Sequence, residues 1–194
     1  MPTPVLTSSV VSPLDPPYEA ETQAILSKWM PPGAPHEPLS LFCSLVKNAD
    51  LMTAMRSLGS YFLGSRSPFS VRLREMIILR TCARSGCEYE WGVHVTGFAA
   101  AANLSAEDIQ ELTNGAAESP HWSGAEQAAL QACDQLLATA NLDTATRSKL
   151  QNFFDEPTIL AILTLIGWYR LIAGLANTVC DSGESWAARF KDYR

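Results

Sequence analysis

Hydrophobic residues recur along most of the chain at intervals of three and four, the spacing that places them on one face of a helix. No segment of useful length alternates between polar and apolar residues with a period of two, and the β-branched stretches lie inside helical patterns. The pattern therefore predicts an all-α fold of about eight or nine helices. A chain of 194 residues is long enough for a single hydrophobic core to stabilise it.

Capping residues and prolines set the predicted helix bounds. The first five helices are expected over 18–30, 39–47, 50–63, 70–83 and 87–102, and four more begin at Ser105, Ser123, Thr144 and Glu156. Ser105 and Ser123 each precede a carboxylate three residues later, but only Glu126 fits the strict capping box. The comparable openings at Ser70 and Ser123 are compatible with two similar half-units.

The chain is expected to form one domain preceded by an arm. Residues 1–17 contain five prolines among small polar residues, and residues 18–194 show no shift of composition that would mark a boundary. The longest apolar run, Ile159 to Tyr169, has 11 residues and ends at Arg170, so it predicts a buried helix and no membrane span. Trp186 and Phe190 are expected to dock the polar tail on the domain.

Charge and cysteine content narrow the function. The chain has 14 basic and 20 acidic residues, a net charge of −6, and no cluster of Lys or Arg, which argues against nucleic acid as a partner. Its five cysteines form no Cys-x-x-Cys pair, and the N-terminus lacks the pattern of a signal peptide. Free thiols and a cytoplasmic location are predicted.

Glu75 interrupts the apolar face of the helix predicted over 70–83 and is expected to point inward. A buried glutamate needs a partner or takes up a proton, and both states suit proton transfer. The alternative is a salt bridge that serves packing only. Its candidate partners are Arg72, Arg74, Arg80 and Arg170.

The following helix carries a thiol, a carboxylate and an imidazole on one stripe. Cys87, Glu90, Trp91, His94 and Phe98 follow one another at helical spacing. The i, i+4 pair of Glu90 and His94 is expected to orient the imidazole and raise its pKa. The helix N-terminus is expected to lower the pKa of Cys87, although Glu90 opposes that shift.

Two other interpretations of this stripe remain open. His94 is a hydrogen-bonded core histidine in one of them. In the other, Glu75, Cys87, Glu90 and His94 bind a metal, but the donors mix hard and soft atoms and show none of the usual zinc spacings, so no metal is predicted.

Arg170 lies among apolar residues and requires an anion or a route to the surface for its guanidinium. We expect Arg170 or Arg84 to anchor a substrate carboxylate. Trp91, Trp168 and Tyr169 are expected to be core aromatics that also form pocket walls.

The polar spacing resembles a known signature. Glu75, eleven residues, Cys87, two residues, Glu90, three residues and His94 resemble the motif of the carboxymuconolactone decarboxylase family, whose superfamily includes alkylhydroperoxidase D. The resemblance covers about 39–115, and Gly167-Trp168-Tyr169 resembles the C-terminal part of longer members. It implies an all-helical fold, a homo-oligomer (dimer, trimer or hexamer), and a small-molecule pocket with Glu75, Cys87, Glu90 and His94 as catalytic residues.

The resemblance also distinguishes between the peroxidase and decarboxylase branches of the superfamily. In the peroxidase branch two cysteines do the redox work, and Glu90 stands where the peroxide-attacking thiol would be. The Glu-Tyr-Glu-Trp-x-x-His form resembles the decarboxylase branch, which implies acid/base chemistry without a cofactor. The predicted function is therefore a decarboxylase, lyase or isomerase for a small organic acid or lactone, with His94 as acid/base, Glu90 as its orienting group and Glu75 as a relay. The alternatives are a thiol peroxidase or antioxidant protein using Cys87 on a peroxide, and a non-catalytic oligomeric ligand-binding protein.

Overall fold

A computed structural model gives the structure of the protein and describes residues 9–31 and 33–193. Within those ranges the chain forms nine α-helices, two short 3-10 helices and no strand, so the predicted all-α class is confirmed. The α-helices are α1 (Ala20–Trp29), α2 (Ser40–Leu45), α3 (Ala49–Leu63), α4 (Val71–Arg84), α5 (Glu88–Phe98), α6 (Ala106–Asn114), α7 (Gly124–Thr139), α8 (Thr144–Phe153) and α9 (Glu156–Val179).

The predicted N-terminal arm lies only partly in the described chain, since its first eight residues fall outside it. The remaining part is tied to the helices by backbone contacts. The Leu14 amide donates to the Cys43 carbonyl at 3.1 Å, and the Ser9 hydroxyl donates to the Val179 carbonyl at 2.9 Å. Residues 9–17 contain no helix, as predicted for this segment.

Helix bounds differ from prediction where a different residue provides the cap. Asn48 caps α3, which begins one residue before the predicted start, by accepting a hydrogen bond from the Leu51 amide at 3.1 Å. Met52, Met55 and Phe62 form the buried face of α3, whereas Leu51 is 46% exposed. Helix α5 ends at Phe98, four residues before the predicted end.

Helix α4 lies at the centre of the fold, in contact with α5, α6, α7 and α9. Ser70 caps it as predicted, and every residue from Arg74 to Cys82 is buried. Burial of the Arg80 guanidinium is offset by a pair with Asp134 at 2.6 Å and by the carbonyls of Leu112 and Gly115. Helix α4 can therefore carry charged side chains into the core where partners are provided.

Both helix starts at Ser105 and Ser123 have complete capping boxes. Asp108 fills this role at α6 although the strict motif calls for Glu or Gln, because its carboxylate also reaches the Ser105 backbone amide at 2.9 Å. Arg72 of α4 joins the two boxes, with Asp108 at 3.2 Å and Glu126 at 2.9 Å.

Helix α9 is long and apolar enough to cross a membrane by length and composition alone. In this fold it is a core helix, because it packs against α4, α5 and α7 and buries ten residues, as the sequence predicts. Pro157 stands in its first turn, and Asp155 caps it by accepting from the Thr158 amide at 3.0 Å.

The C-terminal segment packs on the outer side of α5. Phe190 lies 4.8 Å, centroid to centroid, from Trp91, and the Ala188 backbone passes so close to Gly92 that a Cβ there would meet its carbonyl oxygen. Trp186 stacks on His36 at 4.2 Å. The two aromatic residues expected to dock the tail therefore both do so.

Candidate active site

The site begins with a contact between α4 and α5. Oε2 of Glu75 lies 2.6 Å from Nδ1 of His94, and both side chains are almost completely buried. The two helices form a hairpin through Gly86, whose φ of 62° suits a residue without a Cβ. The hairpin thus brings the inward glutamate of one helix against the imidazole of the next.

Arg74 holds the second oxygen of this carboxylate. Its Nε lies 2.7 Å from Oε1 of Glu75, and its guanidinium carbon lies 5.7 Å from the centre of the Phe98 ring. The structure therefore selects Arg74 from the four arginines that the sequence left as partners. Glu75 is an ion-paired carboxylate that also contacts His94, so the packing and proton-transfer interpretations are both compatible with it.

Tyr169 and Glu90 lie at the opposite nitrogen of the imidazole. Nε2 of His94 is 3.1 Å from the Tyr169 hydroxyl and 3.5 Å from Oε1 of Glu90. The expected i, i+4 contact between Glu90 and His94 is present, but Glu75 makes the shorter contact and fixes Nδ1. Glu90 lies one helical turn away and reaches the side of the ring that Glu75 does not occupy.

Electrostatics in this cluster favours a charged imidazole. Burial alone would lower the pKa of His94, but the Glu75 charge and the hydrogen bonds that the imidazole donates to Glu75 and Glu90 raise it to about 9. Burial would raise the pKa of Glu75, yet His94 and Arg74 bring it below its ordinary value. Burial and the charges of Glu90 and Glu75 raise the pKa of Tyr169, so its hydroxyl stays protonated.

A cavity of about 410 Å³ lies beside this cluster. Its walls come from the end of α1, from α2, α3, α5 and α9. They consist of Lys28, Trp29, Met30, Pro31, Leu41, Phe42, Arg56, Gly59, Ser60, Leu63, Gly64, Glu90, Phe98, Trp168, Tyr169 and Ile172. Glu90 and Tyr169 therefore face the cavity, while His94 and Glu75 lie behind them.

Glu90 has an oxygen available to a ligand. Oε2 of Glu90 is buried and has no hydrogen-bond partner among residues 9–31 and 33–193. A buried carboxylate oxygen without a partner is costly, and a bound ligand with an acidic or donor hydrogen would satisfy it.

Cys87 lies outside the cavity walls and is completely buried. It is the N-cap of α5, not a residue of its first turn. Burial raises the pKa of its thiol to about 11, although the backbone amides of Glu90 and Tyr89 act in the opposite sense. The expected lowering by the helix N-terminus is thus overcome by desolvation.

The five residues predicted to bind substrate divide into two groups. Trp168 and Tyr169 line the cavity. Arg170, Arg84 and Trp91 do not. Arg170 is exposed on α9 because the next residue of a helix points about 100° away from Tyr169.

The other two have partners elsewhere, which corrects their predicted role. Arg84 pairs with Asp134 at 3.3 Å and donates to the Gly115 carbonyl at 2.9 Å. Trp91 packs against Phe190 in the interior on the side of α5 that faces the tail.

Sequence reasoning missed the residues at the cavity mouth. Lys28 and Arg56 lie on the polar faces of α1 and α3, where nothing in the hydrophobic pattern distinguishes them from other surface residues. No group of three or more His, Cys, Asp or Glu side chains suited to a metal occurs in the described parts of the chain, 9–31 and 33–193.

The polar signature predicted from the sequence lies within a segment that matches a family model. Residues 49–135 match the model of the carboxymuconolactone decarboxylase family. The match covers 87 of the 194 residues. The segment includes Glu75, Cys87, Glu90 and His94, while Trp168 and Tyr169 lie outside it. No curated protein sequence matches the chain significantly.

Solved structures show the same fold. The debrominase Bmp8 has a TM-score of 0.75 at 17% identity, over 91% of this chain and 93% of its own. A peroxidase-related protein from Silicibacter has a TM-score of 0.72 at 17% identity, over 93% and 96%. A protein of unknown function from Agrobacterium tumefaciens has a TM-score of 0.65 at 21% identity, over 72% and 94%.

These identities are low enough that the likeness concerns the fold alone. The fold is that of the AhpD-like helical proteins, which the family motif led us to expect. A debrominase and proteins named as peroxidase-related share it, so the fold by itself does not identify a reaction.

Proposed function

We propose that this carboxymuconolactone decarboxylase family protein is an acid/base enzyme that transfers a proton to or from carbon in a small organic acid or lactone. The observation that carries the proposal is Glu90 at the cavity wall with its Oε2 unpartnered, with Tyr169 beside it and a charged His94 behind both. Glu90 is the group placed to exchange the proton, and Tyr169 is the group placed to donate to the substrate oxygen.

The chemistry of a decarboxylation fits these positions. As the bond to the leaving carboxylate breaks, its electron pair moves onto an adjacent carbonyl and forms an enolate oxygen. Tyr169 donates a hydrogen bond to that oxygen. Glu90 then passes a proton taken up from solvent to the carbon that lost carbon dioxide, and it returns to the carboxylate. An isomerisation needs the same groups, with Glu90 first taking the proton and then returning it.

His94 is assigned as a positioning residue in this scheme. When the imidazole is charged, its Nε2–H donates to the oxygen of Tyr169, so the phenolic hydrogen is free to point at the substrate. Glu75 favours this charged state through its contact with Nδ1, and Arg74 keeps Glu75 ionised. This scheme differs from the sequence interpretation, in which His94 is the acid/base and Glu75 the relay. Here Glu90 and Tyr169 contact the substrate, and His94 lies one layer behind them.

The position of Cys87 argues against the thiol peroxidase alternative. A peroxide-attacking thiol needs thiolate character and access to substrate. Cys87 has a pKa of about 11 and lies outside the cavity walls. Peroxide chemistry at this residue would require the hairpin between α4 and α5 to open.

The test is a screen of small unsaturated acids and lactones in D₂O, followed by NMR for loss of the substrate carboxylate and for deuterium incorporation at carbon. For any compound turned over, Glu90→Gln is expected to remove at least about 99% of the rate, and Tyr169→Phe to lower kcat by about 10². Cys87→Ser is expected to retain activity.

A parallel assay of peroxide consumption with a dithiol reductant separates the alternatives. Turnover that is lost in Cys87→Ser and kept in Glu90→Gln would contradict the proposed function and establish a peroxidase. Tight binding of a screened compound that is never converted, in wild type and variants alike, would instead establish the ligand-binding alternative.

A further inference from the structure

The cavity beside Glu90 has a charge character opposite to that of the whole protein. The chain carries a net charge of −6, yet the ionisable side chains among the cavity walls, apart from Tyr169, are Lys28, Arg56 and Glu90. Glu90 is buried, whereas Lys28 and Arg56 are exposed. The cavity therefore has an acidic inner end and a basic mouth.

Arg56 is held at this mouth by the end of α1. Its Nε donates to the Lys28 carbonyl at 3.3 Å. This contact uses one of the five guanidinium hydrogens and leaves the two terminal nitrogens for an anion. In contrast to Arg72, Arg74 and Arg80, Arg56 makes no ion pair within the described residues.

Aromatic rings line the space between the two ends. Trp29 and Phe42 belong to the outer part of the chain around α1 and α2, and their ring centroids lie 5.0 Å apart. Phe98, Trp168 and Tyr169 complete the aromatic wall. Flat faces of this kind favour a planar unsaturated or aromatic ligand over a flexible chain.

We propose that the ligand of this cavity is a planar unsaturated or aromatic monoanion, whose acid group binds Arg56 at the mouth and whose opposite end lies against Glu90 and Tyr169. The proposal rests on the proposed function for its identification as a substrate, but the binding mode stands on Arg56 and the aromatic walls. Arg56 then replaces Arg170 and Arg84 as the anchoring arginine.

The test measures binding with two fluorescent probes that differ by one group. 8-Anilinonaphthalene-1-sulfonate carries an anion, and N-phenyl-1-naphthylamine is the same ring system without it. Arg56→Gln is expected to weaken binding of the sulfonate by about tenfold and of the neutral amine by less than about twofold. Arg66→Gln, which removes the same charge from a position outside the cavity, is the matched control and is expected to change neither.

Two further measurements keep the result specific to this cavity. Gly59 lines it, and a Cβ there would lie 3.8 Å from the Trp168 ring, so Gly59→Leu is expected to abolish binding of both probes. Cinnamate is expected to displace the sulfonate from wild type more strongly than cinnamamide, and this preference should vanish in Arg56→Gln.

Equal weakening of both probes by Arg56→Gln would overturn the proposal, since Arg56 would then only support the wall. Loss of sulfonate binding in Lys28→Gln but not in Arg56→Gln would also overturn it. None of these measurements requires turnover, so they succeed or fail independently of the proposed reaction.

Discussion

The hydroxyl oxygen of Tyr169 lies 3.1 Å from Nε2 of His94, across 75 positions of sequence. The direction of this hydrogen bond depends on the charge of the ring. A charged imidazole donates to the phenol oxygen and frees the phenolic hydrogen, whereas a neutral ring with its hydrogen on Nδ1 accepts that hydrogen. The protonation state of His94 thus determines whether Tyr169 can donate into the cavity.

Glu75→Gln is expected to lower the pKa of His94 from about 9 toward or below the ordinary 6.5. The substitution removes the charge that opposes desolvation of the imidazolium, and burial then dominates. The measurement is an NMR titration of the imidazole ring signals between pH 5 and 10, with Glu107→Gln, an exposed glutamate of α6, as the control. An unchanged titration of His94 in Glu75→Gln would contradict the assignment of Glu75 as its partner.

The same raised pKa makes stability depend on pH. Because the folded protein holds the His94 proton more tightly than the unfolded chain, the contribution is complete below pH 6.5 and is lost as pH rises through about 9. We expect the free energy of unfolding in urea to fall over this range. His94→Gln should flatten the dependence, and an equally steep fall in that variant would assign it to other groups.

Two glycines of α5 differ in their surroundings: Gly92 lies against the C-terminal segment, and Gly97 does not. Gly92→Ala is expected to destabilise the protein by about 1–3 kcal/mol, because the new Cβ would meet the Ala188 carbonyl and displace the segment. Gly97→Ala, exposed and with nothing within 4 Å of its Cβ, is expected to stabilise by about 0.5–1 kcal/mol. Thermal unfolding of both variants checks this, and destabilisation of similar size in both would refute the contact.

The rate at which each thiol is labelled is expected to decrease as its burial increases. Cys43, Cys82, Cys87 and Cys133 are buried, while Cys180 is partly exposed. We expect iodoacetamide to modify Cys180 first in the native protein and the other four only on unfolding, as measured by peptide mass spectrometry. Rapid native labelling of Cys87 would show that its thiol is accessible and would revive the peroxidase alternative.

The hydrogen bonds of Asp108, with Arg72 as its main partner, are expected to make the free energy of unfolding fall in acid. Burial would raise the pKa of Asp108, but hydrogen bonds from Arg72, the Ser105 backbone and His121 lower it to about 2. Its contribution is therefore present above pH 3.8 and is lost as pH falls through about 2.

Asp108→Asn tests this assignment at neutral pH. We expect it to cost about 2 kcal/mol of stability and to weaken the acid dependence. Asp50→Asn, an exposed acid in the first turn of α3, is the control for charge alone. If both variants lose the same stability, the network between the capping boxes contributes nothing beyond charge.

The buried polar cluster was predictable where polar residues interrupt clear amphipathic patterns. Glu75, Glu90 and His94 each stand on a helix whose apolar face could be assigned from spacing, so their inward direction followed. Spacing could not select Arg74 as the partner of Glu75, because neighbouring arginines on one helix differ only in direction and reach. That choice depends on how α4 packs against α5.

Helix α9 shows the opposite case. It is apolar on almost all sides, so its sequence does not show which face of the helix is buried. The pattern could therefore not tell whether Tyr169 or Arg170 faces the site. Packing against α4 and α5 turns Tyr169 inward and leaves Arg170 in solvent. Lys28 and Arg56 could not be singled out from the sequence for a related reason. Residues of separate helices form the cavity mouth, and no single helix carries a pattern that marks it.

The walls of the cavity have two origins along the chain. The charged cluster of Arg74, Glu75, Glu90 and His94 lies entirely within the family segment 49–135, and so does Arg56 at the cavity wall. Most of the aromatic wall comes from outside that segment, through Trp29, Phe42, Trp168 and Tyr169. Exchanging the flanking helices is therefore expected to reshape the aromatic wall while Arg56 and Glu90 stay in place.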